Sequence, residues 1–297
     1  MERKESIDLF GATSLVAFSA LLAFNQVVIK VVNAGLQPIF AAGLRSALAF
    51  VIMLGVAVYW RLGNRPEQRI LMPGIAIGTV FAIEFLCLFL ALDLTTVARI
   101  SVIFYSMPIW AAILAHLFVP GERISRAKGL GLVLAFGGVA WAILDRGGAS
   151  GRASLAGDLL ALMSAISWAA ILILARASAL RNITPVSQLC WQLGVSAVIL
   201  LALTPLFGPL VREFAPIHAA GLAFQVLAIA SAGFLFWLWL VSIYPASGVA
   251  SFSFLAPIFG VAMGWALLGE AVGGGIFGAL ALVATGLFLI NRPAARA

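Results

Sequence analysis

The chain has 297 residues, of which 63% are hydrophobic and only 10% are charged, and its mean hydropathy is +1.13. A soluble domain is about half apolar and about a quarter charged, so these values exclude a soluble globular fold and indicate that lipid is the main solvent. The net charge is +7, but the sequence has no long run of Lys and Arg, so we expect no nucleic-acid partner.

Apolar segments follow one another along the chain, each long enough to cross a bilayer with some tilt. They lie at about 11–33, 38–60, 71–92, 98–119, 127–145, 157–180, 185–207, 217–243, 248–268 and 274–291. They lack the period-2 alternation of membrane β-strands, and the connections are too short for a soluble domain. We therefore predict an all-α, multi-pass integral membrane protein with ten transmembrane helices.

Basic residues are distributed unevenly between the two predicted sides of the membrane. If the N-terminus is cytoplasmic, twelve Lys and Arg residues fall on the cytoplasmic side and five on the outside, with Arg45 left out because it lies within a span. Basic residues collect in the cytoplasmic loops of membrane proteins. We therefore expect both termini to be cytoplasmic.

Two stretches of the sequence repeat one pattern. Residues 101–129 and 250–278 each place a proline within a predicted helix, Pro108 and Pro257, and then a Gly-Glu pair and another helix. The Gly-Glu pairs are Gly121-Glu122 and Gly269-Glu270. The spacing from proline to Gly-Glu differs by one residue between the copies, so we do not expect the two loops to be strictly symmetric.

A weaker echo links the helices that open at Gly11 and Gly157. Each half of the chain then holds five predicted helices, and because five is odd, the second copy must enter the membrane from the opposite side. The sequence therefore predicts two inverted repeats, 1–147 and 148–297, around a central cavity. Many secondary transporters have this architecture.

Glu84 lies in the middle of the third predicted span. A carboxylate near the bilayer centre costs about 2.5 kcal/mol or more, so it should face a cavity or a partner. One interpretation is that it binds the ammonium group of a substrate or carries a proton. The alternative is structural: an ion pair with Lys30 or Arg45, or a neutral buried acid.

Other polar side chains also lie within predicted spans. Arg45, early in the second helix, could bind a carboxylate or pair with Glu84. Lys30 lies near the end of the first helix and could simply extend to the interface. Asn25 and Gln26 could line a cavity or form interhelical hydrogen bonds.

Aromatic side chains on segments expected to face a cavity could stack on an aromatic or hydrophobic ligand, or could serve only in packing. They are Phe81, Phe85, Tyr105, Trp168, Trp237 and Trp239. Ser101, Tyr105 and Pro108 share one helix face by their spacing.

The two repeated prolines each remove a backbone hydrogen-bond donor within a predicted helix. We predict that Pro108 and Pro257 are hinges, with a static kink as the alternative. Glu122 and Glu270 follow these helices, and a carboxylate there can complement a helix N-terminus. We expect a structural role for both glutamates.

Motifs of catalysis and nucleotide binding are absent from the sequence. There is no G-x-S-x-G, no H-E-x-x-H, no intramembrane Asp pair and no phosphate-binding loop. His116 and His218 have no second ligand at metal-binding spacing. We therefore expect neither an enzyme nor a metal or organic cofactor.

The doubled Pro-then-Gly-Glu pattern over five-plus-five helices resembles the EamA-type permeases of the drug/metabolite transporter superfamily. Within that family, residues 81–110 are most similar to the bacterial aromatic amino acid exporters. The resemblance implies a ten-helix exporter of the bacterial inner (plasma) membrane. It also implies a central cavity lined by predicted helices one, three, four, six, eight and nine.

The resemblance and the intramembrane polarity together predict an exporter of amino acids, including aromatic ones, and of related small metabolites. Glu84 would bind the ammonium group, Arg45 or Asn25 the carboxylate, and Tyr105 and Trp168 the side chain. Phe81, Ser101 and Trp237 complete the predicted site. The alternative is an extruder of cationic hydrophobic drugs, for which one carboxylate among aromatic rings is equally suited. Ten helices can enclose a cavity within one chain, so a monomer in the lipid bilayer is sufficient.

Overall fold

The computed structural model describes residues 7–61, 68–119, 126–145, 154–244, 252 and 254–291, and the regular structure in these ranges is helical. The α-helices are α1 (Leu9–Gly35), α2 (Pro38–Tyr59), α3 (Gln68–Leu94), α4 (Val97–Phe104), α5 (Met107–Phe118), α6 (Arg126–Leu144), α7 (Leu155–Ala177), α8 (Pro185–Leu203), α9 (Pro216–Phe224), α10 (Phe234–Ile243), α11 (Leu255–Leu268) and α12 (Gly274–Asn291). A π-helix, Gln225–Gly233, joins α9 to α10, and 3-10 turns follow α7 and α8.

The described helices match the apolar segments of the sequence to within a few residues, except where 248–268 begins, outside the described residues. Seven continuous stretches have the length and hydropathy of a membrane span. They are Leu9–Gly35, Pro38–Tyr59, Arg69–Leu94, Val97–Phe118, Leu155–Ala177, Pro185–Phe207 and Pro216–Ile243. Three shorter apolar helices are Lys128–Leu144, Leu255–Leu268 and Gly274–Ile290. The predicted α-helical membrane protein is thus confirmed, and the crossing of the membrane by all ten segments stays a prediction.

The outside of the bundle is apolar. Large hydrophobic side chains are exposed on α2, α3, α6 and α8, including Val58, Met72, Val133 and Val198. Contiguous apolar surface of this kind is rare in soluble monomers. In lipid this exposed apolar surface has no unfavourable contact with water, so a membrane location agrees with the apolar composition of the chain.

The repeated prolines do not lie where the sequence pattern predicts. α4 ends at Phe104 and α5 begins at Met107, so Pro108 lies in the first turn of α5. Pro257 is the third residue of α11. A proline in the first turn of a helix removes no helical hydrogen bond. The prediction of mid-helix prolines is therefore wrong, and the fourth segment contains a break at Tyr105 and Ser106 instead of a kink.

One end of the bundle, which we call end A, surrounds the link between α1 and α2. Leu36 pairs with Val211 in an isolated antiparallel bridge. Gln37 Nε2 donates hydrogen bonds to the carbonyl oxygens of Thr204 (2.9 Å) and Gly208 (3.0 Å). These bonds hold the start of α2 against the segment that follows α8.

Lys30 lies at end A and binds the end of α3. Its Nζ donates to the carbonyl oxygens of Leu92 (3.0 Å) and Thr95 (2.5 Å). The last carbonyls of a helix have no partner within the helix, and a cation near them is stabilising. Lys30 therefore has a structural role at the C-terminus of α3.

A buried ion pair joins α4 to α7 at end A. The side chains of Arg99 and Asp158 are 2% and 0% exposed, and Arg99 Nη2 lies 2.6 Å from Asp158 Oδ2. Arg99 Nε donates to Asp158 Oδ1 at 3.1 Å. The guanidinium also donates to the carbonyl oxygens of Asp145 (2.7 Å) and Ala142. Arg99 thus connects the first turn of α7, the C-terminus of α6 and its own helix.

Glu270 caps a helix in the other half of the chain. Its Oε1 accepts from the Val97 amide (2.8 Å) and its Oε2 from the Ala98 amide (2.9 Å). Val97 and Ala98 are the first two residues of α4. The expected role at a helix N-terminus is therefore present, but on α4 instead of the helix that follows Glu270. Its counterpart Glu122 lies outside the described residues.

A second, more exposed ion pair also connects the two halves at end A. Arg212 binds Asp93 with both terminal nitrogens, at 2.8 and 3.0 Å, and the side chains are 37% and 25% exposed. This hydrogen bonding raises the pKa of the Arg212 guanidinium above its ordinary value.

Glycines allow α6 and α12 to approach closely. A Cβ atom added at Gly131 would lie 2.7 Å from the carbonyl oxygen of Gly286, and one added at Gly138 would lie 2.7 Å from that of Ala279. Small residues at such interfaces let helix backbones come together where no hydrophobic effect drives them. The close packing of α6 on α12 thus depends on these glycines, which carry no side chain.

We expect Gly131→Ala to lower the temperature of thermal unfolding in detergent, because its methyl group would press on the backbone of α12. Gly137 lies on the same helix with nothing within 4 Å of an added Cβ. Gly137→Ala should leave the unfolding temperature unchanged or raise it, since alanine favours a helix over glycine by about 1 kcal/mol. Equal losses in the two variants would contradict the close packing of α6 on α12.

We expect Asp158→Asn to destabilise the protein by about 3–5 kcal/mol, because it leaves the Arg99 charge buried without its counterion. The matched control is Asp93→Asn, which breaks the exposed pair with Arg212 and should cost about 1 kcal/mol or less. Denaturant unfolding in detergent measures both. Similar values would show that burial does not distinguish the two pairs.

Candidate functional site

Polar atoms without a hydrogen-bond partner among the described residues are concentrated in the interior of the bundle. They include Asn25 Oδ1, Gln26 Nε2, Arg45 Nε and Nη1, Ser46 Oγ, Ser164 Oγ, and both Oε1 and Nε2 of Gln225. A buried polar group left unsatisfied costs about 1–3 kcal/mol. Each such group in a native structure calls for a physical explanation, and a site that binds polar groups is one.

Four residues of this set, Asn25, Arg45, Ser164 and Gln225, lie at similar depths below end A, and so does Glu84, which is not one of the set. Asn25 and Glu84 are each ten residues from the ends of α1 and α3 at that face. Arg45 is seven residues into α2, and Ser164 and Gln225 are each nine residues from the starts of α7 and α9. At a rise of about 1.5 Å per residue these positions lie about 10–15 Å from end A. We call these five residues the central polar layer, since half the hydrocarbon thickness is about 15 Å.

Arg45 and Glu84 are the charged members of the central polar layer. They are 4% and 2% exposed, and they are close enough to interact electrostatically. The Arg45 guanidinium carbon lies 4.2 Å from the centroid of the Phe85 ring, a cation–π contact. Because Nε and Nη1 of Arg45 keep no hydrogen-bond partner, attraction to Glu84 does not use the full binding capacity of the guanidinium.

Aromatic rings line α3 around Glu84. The Phe81 and Phe85 centroids are 4.6 Å apart, and those of Phe85 and Phe89 are 6.1 Å apart. All three side chains are buried. The predicted site residues Phe81, Glu84 and Arg45 therefore lie together with Phe85, which the sequence analysis placed only on a cavity-facing segment.

Ser101 and Gln26 connect the first and fourth segments. Ser101 Oγ donates to Gln26 Oε1 at 2.7 Å, and an added Cβ at Gly260 would lie 1.9 Å from Ser101 Oγ. Helix α11 thus approaches Ser101 without any side chain between them. Ser101 is fully buried, and this contact is interhelical.

Of the remaining predicted aromatic residues, Tyr105 and Trp168 belong to the main core and Trp237 to a separate cluster. Tyr105 is buried at the break between α4 and α5, with its ring 5.5 Å from that of Phe104. Trp168 is half-buried against the main core. Trp237 stacks on Phe18 at 5.1 Å, in a smaller cluster near the opposite end of the bundle. The structure therefore does not bring Trp237 to the level of Arg45 and Glu84.

Five residues of the unpartnered set are missing from those that the sequence analysis selected: Asn33, Ser46, Ser164, Gln225 and Ser231. The signal for Gln225 was present, since it is an amide in an apolar run, as Asn25 is. Serine gives no such signal, because its hydroxyl often bonds to a carbonyl of its own helix, as Ser196 does with Leu193 (3.1 Å).

Known proteins resemble the chain over nearly its whole length. The sequence profile described as the EamA-like transporter family matches it twice, at residues 9–144 and 155–292. The chain is 28% identical over 286 residues to a Bacillus subtilis protein named "Uncharacterized transporter YvbV", and the match covers 93% of this chain and 90% of that one.

A solved crystal structure also resembles the described fold. Its TM-score is 0.64 with 20% sequence identity, and the match covers 94% of this chain and 97% of the other. At this identity the similarity concerns the fold alone. The two family matches fall on the two halves of the chain and together span most of it. The chain belongs to the EamA-like transporter family, and it is a membrane transporter.

Proposed function

We propose that the protein is a secondary transporter that exports amino acids, including aromatic ones, and related small metabolites by alternating access. One observation carries this proposal. Two opposite charges, Arg45 and Glu84, are buried in the central polar layer, and two guanidinium nitrogens have no hydrogen-bond partner among the described residues. Ionisable residues within a membrane mark the paths of substrates and ions.

A zwitterion matches the two charges. The carboxylate of an amino acid would accept hydrogen bonds from the free Arg45 nitrogens, and its ammonium group would lie against Glu84. Phe81 and Phe85 adjoin these groups and offer ring surfaces for an aromatic side chain. Asn25 lies at the same depth, and Tyr105 and Trp168 complete the proposed lining.

Matching contacts in the two halves support an inverted repeat of ten membrane-spanning helices. Gly157, the third residue of α7, packs on Thr95, which follows α3. Gly11, the third residue of α1, packs on the ring of Tyr244, which follows α10. Each contact joins the first helix of one half to the end of the third segment of the other. Such symmetry provides two equivalent closures, as alternating access requires.

End A is closed by contacts between the halves. The Arg99–Asp158 pair, the Glu270 cap on α4 and the Arg212–Asp93 pair each join one half to the other. Opening at end A would have to break them. We propose that end A lies outside a bacterial cell, with both termini in the cytoplasm and the protein in the inner membrane, and the distribution of basic residues supports this orientation. The break before Pro108 and the start of α11 near Pro257 are the proposed bending points, and a monomer suffices.

Extrusion of cationic hydrophobic drugs is the alternative. Glu84 beside Phe81 and Phe85 would attract a lipophilic cation. The guanidinium of Arg45 over the Phe85 ring argues against it, because a second cation would be repelled there. A zwitterion uses both charges and is therefore preferred.

We expect purified protein in liposomes to take up radiolabelled phenylalanine or tryptophan, and Glu84→Gln to reduce the initial rate by at least about tenfold, because the ammonium group loses its counter-charge. The matched control is Glu213→Gln, which removes an exposed carboxylate outside the central polar layer and outside the contacts that close end A. It should transport at close to the unmodified rate. Equal rates for Glu84→Gln and the unmodified protein would contradict the proposed role of Glu84.

An imposed pH gradient in the same assay separates proton-coupled from passive transport. If Glu84 carries a proton during export, the gradient should increase uptake by the unmodified protein and leave Glu84→Gln unaffected. A gradient that drives both proteins equally would exclude Glu84 as the coupling group.

A further inference from the structure

The segment between α9 and α10 is a π-helix, Gln225–Gly233. π-helices are rare, and where they occur inside α-helices they are frequently found at functional sites. The wide turn brings the backbone of Gly233 close to that of Ala228, since an added Cβ at Gly233 would lie 2.5 Å from the Ala228 carbonyl oxygen. A side chain at Gly233 would therefore disturb the turn.

Gln225 opens this π-helix, and its amide is fully buried without a partner. The residue is 0% exposed, and neither Oε1 nor Nε2 has a hydrogen bond among the described residues. Gln37 and Gln188 have partners, and Gln26 accepts from Ser101 through Oε1 while its Nε2 has none among the described residues. Gln37 donates to two carbonyl oxygens and accepts from the Phe40 amide (3.0 Å). Gln188 Nε2 donates to the Leu180 carbonyl oxygen (2.8 Å). The absence of any partner thus distinguishes Gln225.

Contacts along α1 agree with the position of Gln225 in the central polar layer. Phe224 packs edge-to-face on Phe24, with centroids 5.4 Å apart, and Gly221 approaches the side chain of Val28. Gln225 therefore lies at the level of Asn25. The π-helix also packs against α2, the helix that carries Arg45. The free amide and the free guanidinium nitrogens are on adjacent elements.

We infer that Gln225 binds the head group of an α-amino acid and contributes to selectivity for a substrate that carries both an ammonium and a carboxylate on one carbon. This inference rests on the proposed function and assigns a further residue to that site. A primary carboxamide presents N–H donors and a carbonyl acceptor side by side. The amide nitrogen binds the substrate carboxylate together with Arg45, and the amide oxygen accepts from the ammonium group together with Glu84.

A purely structural glutamine would behave differently on substitution. Replacing a buried amide that has partners removes stabilising hydrogen bonds, whereas replacing one that has none removes only a desolvation cost. Gln225→Leu should therefore unfold at the same temperature as the unmodified protein or higher. Gln188→Leu, the matched control, should unfold at a lower temperature and keep its affinity for substrate.

The test is equilibrium binding of radiolabelled phenylalanine to the detergent-purified protein, with the thermal unfolding temperature measured for each variant. We expect Gln225→Leu to raise the Kd for phenylalanine by at least about tenfold, the loss of roughly one strong hydrogen bond. The Kd for phenylalanine methyl ester, which lacks the carboxylate charge, should rise by a smaller factor. The selectivity between the two ligands therefore falls in the variant.

Three outcomes overturn the inference. Unchanged binding of phenylalanine by Gln225→Leu would show that Gln225 does not contact the substrate. Parallel losses of affinity and unfolding temperature would assign it a structural role. If the unmodified protein binds no α-amino acid, the proposed function fails with the inference. Binding of phenylalanine by the unmodified protein therefore shows whether the proposed function has failed or only the assignment of Gln225.

Discussion

The burial of Arg45 and Glu84 in the middle of an apolar bundle is the constraint around which the structure is organised. Each charge would be costly in lipid, and removing either alone leaves the other uncompensated. Both must therefore be surrounded by protein: α1 and α8 pack against both α2 and α3, α7 against α3, and the π-helix against α2. The exposed apolar surface of the same helices can then face lipid without contact to either charge.

Polar groups in this protein fall into two kinds that differ in depth. At end A three charged groups are satisfied: Arg99 has carboxylate and carbonyl partners, Lys30 binds carbonyl oxygens, and Glu270 binds two amides. In the central polar layer Arg45 and Gln225 keep atoms without partners. The first kind fixes helices to one another and closes one end. The second kind is available for a ligand, and this difference is the physical basis for separating structure from function.

Hydropathy predicts most of the fold, because lipid requires each helix to be a long apolar run with its backbone hydrogen bonds made internally. The helix ends Gly35 and Pro38 lie within a few residues of their predicted positions. Local interruptions were not predictable in this way. The break at Tyr105 and Ser106 depends on Ser106 Oγ bonding to the Ile103 carbonyl oxygen. The π-helix packs against α1, α2, α9 and α10, and the apolar sequence around it is that of an ordinary span.

The site was predictable only in part. Glu84 and Arg45 are conspicuous because charges within a span are rare, and the structure places them in one layer. Gln225 and Ser164 are distinguished only by side-chain atoms that have no hydrogen-bond partner among the described residues. The cap that Glu270 places on α4 joins residues 172 and 173 positions apart in the chain, and no local pattern indicates which helix receives it.

The most direct test of the central claim is a comparison of three ligands on the unmodified protein: phenylalanine, phenylethylamine and phenylpropionate. Equilibrium binding gives a Kd for each, and the ligands differ only in which charge is present. If Arg45 and Glu84 bind the two charges of a zwitterion, phenylalanine should bind at least about tenfold more tightly than either single-charge analogue. Binding of phenylethylamine as tightly as phenylalanine would contradict this account and favour extrusion of cations.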